Sequence, residues 1–252
     1  MKKLPVALQL YTVRDAMGKD FIGTLREVAK IGYAGVEFAG TGSLSASELR
    51  SVLSDLGLMV AGSHVGIEAL EQELPKVLDF YAELGKPVIV CPYLPEERRK
   101  SADDWKRTAA LFNKVGSTCR QHGMVFAYHN HAFEFEKFGD RTGMDILLES
   151  ADPDLVRIEL DLYWAKFGGQ DPVAFVKRLG KRVALVHLKD MAADAERSFA
   201  EVGEGILPWA EILEACADTS TSWYIVEQDV CRRSALESAA ISLANLRKMG
   251  LG

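Results

Sequence analysis

The chain has 252 residues, of which 48% are hydrophobic and 26% charged, and its formal net charge is −6. These values are typical of a soluble globular protein, and the length predicts one domain over 1–252 that can bury a large core without disulfides or a structural metal. The negative net charge and the lack of a basic patch argue against nucleic acid as a partner. No apolar run approaches the roughly 18 residues of a membrane span, so a membrane is not an expected partner either.

The cysteines and the first residues indicate the cellular compartment. The four cysteines lie far apart and form no CxxC pair, which predicts reduced thiols in a cytoplasmic protein. The apolar run after the opening Met1–Pro5 is interrupted at Gln9, so the pattern predicts a strand rather than a signal peptide. The expected partner is a small molecule, and a homo-oligomer is left open.

Eight short apolar runs recur along the chain, separated by longer amphipathic stretches. Near-continuous apolar runs are typical of parallel strands that are buried on both faces. The sequence therefore predicts eight such strands. The runs are 5–11, 33–38, 58–64, 87–91, 124–129, 156–161, 183–187 and 222–227.

The stretches between the runs show helical periodicity, most clearly in 21–31, 102–122 and 235–248. Glycine tolerates the left-handed geometry of a helix C-terminus, and it follows several of these stretches. Eight strand–helix units in about 250 residues favour a single eight-stranded β/α (TIM) barrel over an open doubly wound sheet. The lack of a GxGxxG turn after the first run argues against dinucleotide binding. The glycines that follow helical stretches are Gly32, Gly57, Gly85, Gly123 and Gly180.

Each predicted strand ends in or near a polar or reactive residue. Because the carboxyl ends of barrel strands meet at one mouth, we expect these side chains to converge there. They are Tyr11 (after Gln9), Glu37, His64, Cys91, His129, Asp161, His187 and Glu227.

The positions of the histidines support this prediction. Of the five histidines, four lie at or just beyond a predicted strand end: His64, His129, His131 and His187. Any one of them could be a hydrogen-bonded ring at the edge of the core. Their joint placement beside strand-end carboxylates favours a functional site.

Asp161, His187 and Glu227 each end a strand in the C-terminal half of the chain. A buried carboxylate is costly unless it is paired with a charge or bound to a cation. One imidazole and two carboxylates suit Mn²⁺ or Zn²⁺, with Co²⁺ and Fe²⁺ as alternatives, and His129 is the predicted fourth ligand. The alternative interpretation is a structural ion pair, for example between Asp161 and Lys189.

The segment 128–135, Tyr-His-Asn-His-Ala-Phe-Glu-Phe, is the most unusual in the chain. His131 and Glu134 are candidates for substrate contact or proton transfer, although Glu134 could equally be a solvated loop acid. Lys189 lies two residues beyond His187, so a continuing strand would direct it into the same mouth. There it could hold a substrate hydroxyl or stabilise an oxyanion.

Two further features suit a ligand the size of a sugar. Trp164 offers an apolar face on which a sugar ring could stack, although core packing is the commoner use of such a residue. The glycines on either side of Glu204 could form a flexible substrate lid or a plain turn. The candidates for substrate contact are Gln9, Tyr11, Glu37, His64, Asn130, Glu134, Trp164, Lys189 and Glu204.

A set of short motifs, each at a predicted strand end, extends this pattern over nearly the whole chain. Taken in order, they resemble the xylose-isomerase-like barrel superfamily, in particular its sugar phosphate isomerase/epimerase group. The motifs are 9–14 (QLYTVR), 35–37 (GVE), 128–131 (YHNH), 159–161 (ELD), 186–190 (VHLKD), 202–205 (VGEG) and 226–229 (VEQD).

The resemblance implies a metal held by residues of strands five to eight, which in many relatives are Glu, Asp, His and Glu. The last three match Asp161, His187 and Glu227, whereas His129 stands where a glutamate is usual. In the epimerases of the group the two glutamates are also the paired acid and base, and many relatives carry a histidine at the position of Trp164. These departures leave room for a lyase or dehydratase of keto-sugars or keto-inositols, a chemistry that the superfamily also contains.

The expected chemistry is metal-assisted removal of a proton next to a carbonyl. Glu227 is the expected base, with His131 or His64 as alternatives, and Lys189 is the expected oxyanion stabiliser. The first expectation is an isomerase or epimerase of a sugar, sugar phosphate or polyol, in which the proton returns elsewhere. The alternative is a lyase or dehydratase, in which a β-hydroxyl is lost. One rival is a phosphodiesterase like the abasic-site endonucleases, against which the few histidines and the acidic balance argue. The other is a sugar-binding barrel without catalysis.

Overall fold

Eight parallel strands close a barrel in the computed structural model of the chain, which describes residues 3–251. Each strand pairs with the next along the chain and the last pairs with the first, which confirms the predicted TIM barrel. The strands are β1 (Val6–Gln9), β2 (Gly35–Phe38), β3 (Met59–His64), β4 (Val88–Cys91), β5 (Phe126–His129), β6 (Val156–Asp161), β7 (Val183–Leu188) and β8 (Trp223–Val226).

Helices follow the strands, and local capping explains where several of them begin and end. Ser45 Oγ accepts the N–H of Glu48, and the Glu48 carboxylate accepts the N–H of Ser45, so the chain enters the next helix with both groups paired. Gly32 ends its helix with φ at 103°. The helices are α1 (Arg14–Met17), α2 (Phe21–Ile31), α3 (Ala46–Leu56), α4 (Ile67–Gln72), α5 (Leu74–Ala82), α6 (Ala102–Gln121), α7 (Gly143–Ser150), α8 (Leu162–Phe167), α9 (Pro172–Leu179), α10 (Trp209–Cys216) and α11 (Ala235–Lys248).

The barrel interior has an apolar floor beneath a polar layer. Side chains alternate in direction along a strand, so residues two apart share the interior face. His129, His187 and Glu227 each follow a floor residue by two positions, which places them above it, towards the carboxyl ends of the strands. The floor includes Ala7, Ala61, Val90, Ala127, Leu185 and Ile225.

The first strand is shorter than the apolar run that predicted it. Strand β1 ends at Gln9, and a 3₁₀ turn, Leu10–Val13, follows. Gln9 Oε1 accepts the N–H of Tyr11 at 3.0 Å, so the glutamine side chain caps this turn. Tyr11 therefore lies on the rim of the barrel, 42% exposed, rather than in the strand.

Two of the long loops contain short antiparallel hairpins that the sequence pattern did not predict. Lys137–Phe138 pairs with Arg141–Thr142, and Asp190–Met191 pairs with Phe199–Ala200. Strands of two residues are too short to show a period of alternation, so no pattern marks them.

The Asp190 carboxylate ties the turn around Gly203 to the end of β7. Its Oδ2 accepts the N–H groups of Gly203 at 2.9 Å and Gly205 at 3.2 Å, and the indole N–H of Trp209 at 2.6 Å. Its Oδ1 accepts the N–H of Leu207 at 3.1 Å. The turn considered as a lid is thus anchored to the barrel by one buried acid.

The cysteines are free thiols, three of them buried. Within residues 3–251 no helix combines the length and the apolar character that crossing a membrane would require.

Candidate active site

A cavity of about 420 Å³ opens at the carboxyl-end mouth of the barrel. A larger cavity of about 590 Å³ opens at the opposite end, and among its described lining residues there is no histidine and one acid, Glu83. The chemically active side chains are therefore concentrated at the mouth, where barrel enzymes place their sites. The mouth cavity is lined by Tyr11, Ala39, His64, Gly66, Pro92, Tyr93, His129, His131, Glu227 and Asp229.

A cluster of buried charged side chains lies beneath and beside this cavity. We distinguish two groups of acids within it, with three imidazoles between them. The deep glutamates are Glu37 and Glu159; the lysine cluster is Lys189 with Asp161, Glu227 and Asp229; and the imidazoles are His64, His129 and His187.

The Lys189 ammonium group is fully buried and contacts three carboxylates. Its Nζ lies 2.9 Å from Asp161 Oδ2, 2.6 Å from Glu227 Oε2 and 2.7 Å from Asp229 Oδ2. The contact with Asp229 is a hydrogen bond that the ammonium group donates, and those with Asp161 and Glu227 are ion pairs. Burial opposes the charge, but the three carboxylates hold the pKa of Lys189 well above its ordinary value. The ion pair of Asp161 with Lys189, the alternative to a metal ligand, is thus present.

The Glu159 carboxylate contacts all three imidazoles through one oxygen. Glu159 Oε2 lies 2.8 Å from His64 Nε2, 3.0 Å from His129 Nδ1 and 3.2 Å from His187 Nε2. Its other oxygen is buried and has no hydrogen-bond partner. Burial raises the pKa of Glu159, but the neighbouring histidines outweigh this effect and hold the pKa well below its ordinary value.

The imidazoles of His187 and His129 lie between the two groups of acids. His187 Nε2 lies 2.7 Å from Glu37 Oε2, and His187 Nδ1 lies 3.0 Å from Glu227 Oε2. His129 turns Nδ1 to Glu159, and its Nε2 lies 4.0 Å from Asp161 Oδ2. Each ring therefore presents one nitrogen to the deep glutamates and the other to the lysine cluster.

Negative charge exceeds positive charge in this site. In the described part of the chain, the cluster has five carboxylates (those of Glu37, Glu159, Asp161, Glu227 and Asp229) and one ammonium group, and three of the carboxylates contact it. Burial lowers the pKa of His64 and of His187, but the nearby carboxylates outweigh it and raise both. Burial, together with the nearby Glu159, raises the pKa of Glu37 to about 7. Such an excess of buried negative charge is stable only with protons or further cations.

The donor set fits a divalent metal ion. Two sets of side chains each bring four ligand atoms within 4.8 Å of one another: His64, His129, Glu159 and His187, or His129, Asp161, His187 and Glu227. Imidazole nitrogens and carboxylate oxygens are ligands of Zn²⁺, Mn²⁺ and related ions. Two carboxylate oxygens in the cluster, Glu37 Oε1 and Glu159 Oε1, are buried without a hydrogen-bond partner, as expected of atoms that face an ion.

Several of the expected substrate-contact residues lie at the mouth. His64 and Tyr11 line the cavity, as does His131. Burial, and then the nearby His129 and Lys189, lower the pKa of His131 to about 2, so its ring is neutral. The Trp164 ring lies 5.5 Å from the His131 ring and 5.7 Å from Lys189 Nζ, which places it beside the lysine cluster. Gln9 is buried below, where its amide donates to Glu37 Oε2 at 2.8 Å.

Two expected substrate contacts instead hold the backbone near the site. The Asn130 side chain accepts the N–H of Asp161 at 3.0 Å and donates to its carbonyl at 3.2 Å. Glu134 is fully buried and accepts from Tyr128 Oη at 2.6 Å and from the His131 N–H at 2.8 Å. Both side chains therefore fix the loop after β5 and the end of β6.

Glu204 lies outside the cavity. It is exposed, and its carboxylate is 3.4 Å from the Arg233 guanidinium group. It does not line the mouth cavity. The structure therefore does not bring Glu204 together with the other expected contact residues.

The sequence interpretation missed two acids, Glu159 and Asp229. Glu159 interrupts the apolar pattern of β6 and lies two residues before Asp161, so alternation along the strand already directs both acids into the barrel. Asp229 follows Glu227 by two residues in the same way, although the strand has ended there.

Known proteins resemble this chain over most of its length. An inosose dehydratase from Geobacillus kaustophilus is 29% identical over 192 residues, which cover 68% of this chain and 62% of that protein, so the chain matches less than two thirds of this relative. An inosose dehydratase from Clostridium beijerinckii is 24% identical over 252 residues, with 84% of each protein covered.

A solved structure shows the same barrel. A sugar phosphate isomerase/epimerase from Parabacteroides distasonis superimposes with a TM-score of 0.85 at 26% identity, covering 98% of this chain and 94% of that one. The model of the family described as xylose isomerase-like TIM barrel matches residues 25–249. The chain belongs to the xylose isomerase-like TIM barrel family.

Proposed function

We propose that this barrel is a metal-dependent lyase that dehydrates a keto-sugar or keto-polyol. A base removes the proton next to the carbonyl, the C–H electrons form a carbon–carbon double bond, and the β-hydroxyl leaves as water. The observation that carries the proposal is the 2.6 Å contact between Glu227 Oε2 and Lys189 Nζ, which places a base and a proton donor side by side. Relatives named inosose dehydratase support the same class of reaction.

Glu227 is the proposed base. Burial raises its pKa, but Lys189 and His187 outweigh this effect and hold the pKa well below its ordinary value, so the carboxylate is ionised. The carboxylate lines the mouth cavity and can accept a proton from a carbon placed there.

Lys189 is the proposed donor to the departing hydroxyl. Its ammonium group is charged and lies behind the wall that Glu227 and Asp229 form, 2.6 Å and 2.7 Å from their carboxylates, and it would meet a hydroxyl in the cavity by exchanging one of these contacts. It can donate a hydrogen bond to an oxygen on which negative charge develops and then transfer a proton as the carbon–oxygen bond breaks. A base and a donor on one wall favour elimination over epimerisation, which needs proton transfer at opposite faces of a carbon.

The mouth cavity fits a small cyclic polyol. Its volume of about 420 Å³ lies within the usual range for small-molecule sites. Tyr93 and His131 meet edge to face at 5.7 Å and offer ring surfaces, and the neutral His131 can hydrogen-bond a hydroxyl. No lysine or arginine is among the described residues that line the cavity, which favours an unphosphorylated substrate.

The donor set supports a divalent ion, with Mn²⁺ or Zn²⁺ as the first candidates and Co²⁺ or Fe²⁺ as alternatives. When bound, such an ion supplies Lewis-acid polarisation of the carbonyl and stabilises the negative charge that proton removal creates.

An isomerase or epimerase of sugars is the second candidate, favoured by the similarity to the Parabacteroides protein. It would need a second proton carrier besides Glu227, and His131, which lines the same cavity, is the candidate. The two activities leave different products from one keto-polyol, since elimination yields an unsaturated or diketo compound and water.

The test is incubation of the metal-loaded protein with keto-inositols and ketoses, followed by mass spectrometry and NMR of the products. The proposal predicts a product lighter by one water from at least one keto-inositol. A product of unchanged mass would establish the isomerase or epimerase instead. Absence of turnover on both classes, with metal bound, would contradict both.

A further inference from the structure

The contacts of Glu159 place four potential ligand atoms around one point. Glu159 Oε2 lies within 3.2 Å of His64 Nε2, His129 Nδ1 and His187 Nε2. A carboxylate oxygen has two lone pairs and cannot accept three N–H donors well. The arrangement is instead that of three nitrogens and one oxygen converging on a cation.

The other candidate set already contains a cation. His129 Nε2 and His187 Nδ1 each lie 4.0 Å from Asp161 Oδ2, on the opposite side of the rings. There Lys189 Nζ lies 2.9 Å from Asp161 Oδ2 and 2.6 Å from Glu227. A divalent ion bound between the same two carboxylates would have to displace or closely approach the ammonium group, and like charges at such distances repel strongly.

We propose that the metal ion is held by His64, His129, His187 and Glu159, and that the Lys189 ammonium group replaces an ion beside Asp161. The inference rests on the metal dependence proposed above and names a ligand set for it. This set differs from the one expected from the sequence. Three imidazoles and one carboxylate suit four-coordinate Zn²⁺ or Co²⁺.

Burial and the neighbouring groups support this assignment. His129, Glu159 and His187 are fully or almost fully buried, and His64 reaches the cavity with 10% of its side chain exposed, so an ion held by this set would be accessible from the cavity. Glu37 Oε2 lies 2.7 Å from His187 Nε2, and its other oxygen has no partner, so Glu37 can supply a further oxygen.

These positions assign metal binding and proton transfer to different residues. The ligand set would hold the ion beside the deep glutamates, whereas the ionised Glu227 and the buried, charged Lys189 lie on the other side of the imidazole rings. The acid and base groups are therefore not consumed as metal ligands, and both are free to transfer protons.

A matched pair of variants tests the assignment. Glu159→Gln and Asp161→Asn each replace a carboxylate by an amide of the same shape, two positions apart on one strand. Zn²⁺ and Co²⁺ affinity would be measured by competition with a chromophoric chelator, and folding by circular dichroism. We expect Asp161→Asn to weaken binding by no more than about 10- to 100-fold, as for a partner just outside the ligand set, and Glu159→Gln to weaken it well beyond that range.

A second pair and a spectroscopic measurement make the test independent of folding defects. His64→Gln is expected to lose metal, and His131→Gln, which also changes a histidine that lines the cavity, is expected to keep it. X-ray absorption of the Zn²⁺-loaded wild-type protein is expected to fit three imidazoles.

The possible outcomes separate this inference from the proposed function. Metal loss in Asp161→Asn with retention in Glu159→Gln, or two imidazoles in the absorption data, would overturn the ligand assignment and leave the metal-dependent lyase standing. Failure of the wild-type protein to bind any of the four ions would overturn both.

Discussion

Glu159 and Asp161 enter the barrel from one face of the same strand, yet their carboxylates contact different groups. Glu159 contacts the imidazoles of His64, His129 and His187, whereas Asp161 lies 2.9 Å from the Lys189 ammonium group. Two carboxylates that are two positions apart on β6 thus differ in their contacts: Glu159 contacts three imidazoles and Asp161 contacts an ammonium group.

Replacing Lys189 by methionine is expected to destabilise the fold. The substitution keeps the length of the side chain but leaves the carboxylates of Asp161, Glu227 and Asp229 without their cation. Removing one partner of a buried ion pair costs about 3–5 kcal/mol. Urea denaturation of Lys189→Met would measure this loss, and Lys166→Met, at an exposed position, serves as control. Equal stability of the two variants would contradict the account of the lysine cluster.

Glu134 is expected to make stability depend on pH. Burial raises its pKa in the folded protein to about 8, from 4.5 in its ordinary state. The folded state therefore binds a proton that the unfolded state has lost, and the free energy of unfolding falls as the pH rises from about 4.5 to about 8. The slope from this group is at most about 1.4 kcal/mol per pH unit.

Glu134→Gln, which mimics the protonated acid, isolates this contribution. Its stability is expected to fall less steeply than that of the wild type over the same pH window. Denaturation curves at several pH values would measure both slopes. Identical slopes would show that Glu134 is ionised in the folded protein at neutral pH.

Asn130 is expected to act on the reaction through the backbone of Asp161. In Asn130→Ala the buried N–H and C=O of Asp161 lose their partners, which costs about 1–3 kcal/mol of stability. The shift of Asp161 would lower kcat about 10- to 100-fold, with a smaller change in KM. Asn130→Asp, which keeps the acceptor for the Asp161 N–H, should retain more activity. An unchanged kcat in Asn130→Ala would rule out this positioning role.

Asp190 is expected to keep the turn around Gly203 attached to the barrel. Asp190→Asn replaces an acceptor by a donor among the N–H groups of Gly203, Gly205 and Leu207 and the Trp209 indole. Because hydrogen bonds to a charged group contribute about 1.5–3 kcal/mol each, the turn should detach and become a site of proteolysis. Limited proteolysis would locate the cleavage. Resistance equal to that of the wild type would mean that other contacts hold the turn.

The barrel could be predicted from the sequence because its strands are buried on both faces. Continuous apolar runs and helix-ending glycines such as Gly32 and Gly57 mark the strand–helix alternation directly. The hairpin Asp190–Met191 with Phe199–Ala200 could not be predicted in this way, since strands of two residues are too short to show a periodic pattern.

The site could be predicted only as a set of strand ends. Asp161, His187 and Glu227 meet as expected, because parallel strands end at one rim. Which nitrogen of His187 faces which acid depends on the stagger between neighbouring strands, which the residue pattern does not encode. The role of Glu159 was hidden for the same reason, since its neighbours come from three other strands.

The most direct test of the central claim is proton exchange at the carbon next to the carbonyl. The metal-loaded protein would be incubated with a keto-inositol in D₂O and followed by NMR, beside Glu227→Gln and a chelator-treated sample. We expect exchange or loss of the proton in the wild-type sample, and a decrease in rate of about 100-fold or more in the other two. A proton that stays in place in the loaded wild-type protein, or leaves equally fast without Glu227, would contradict the account.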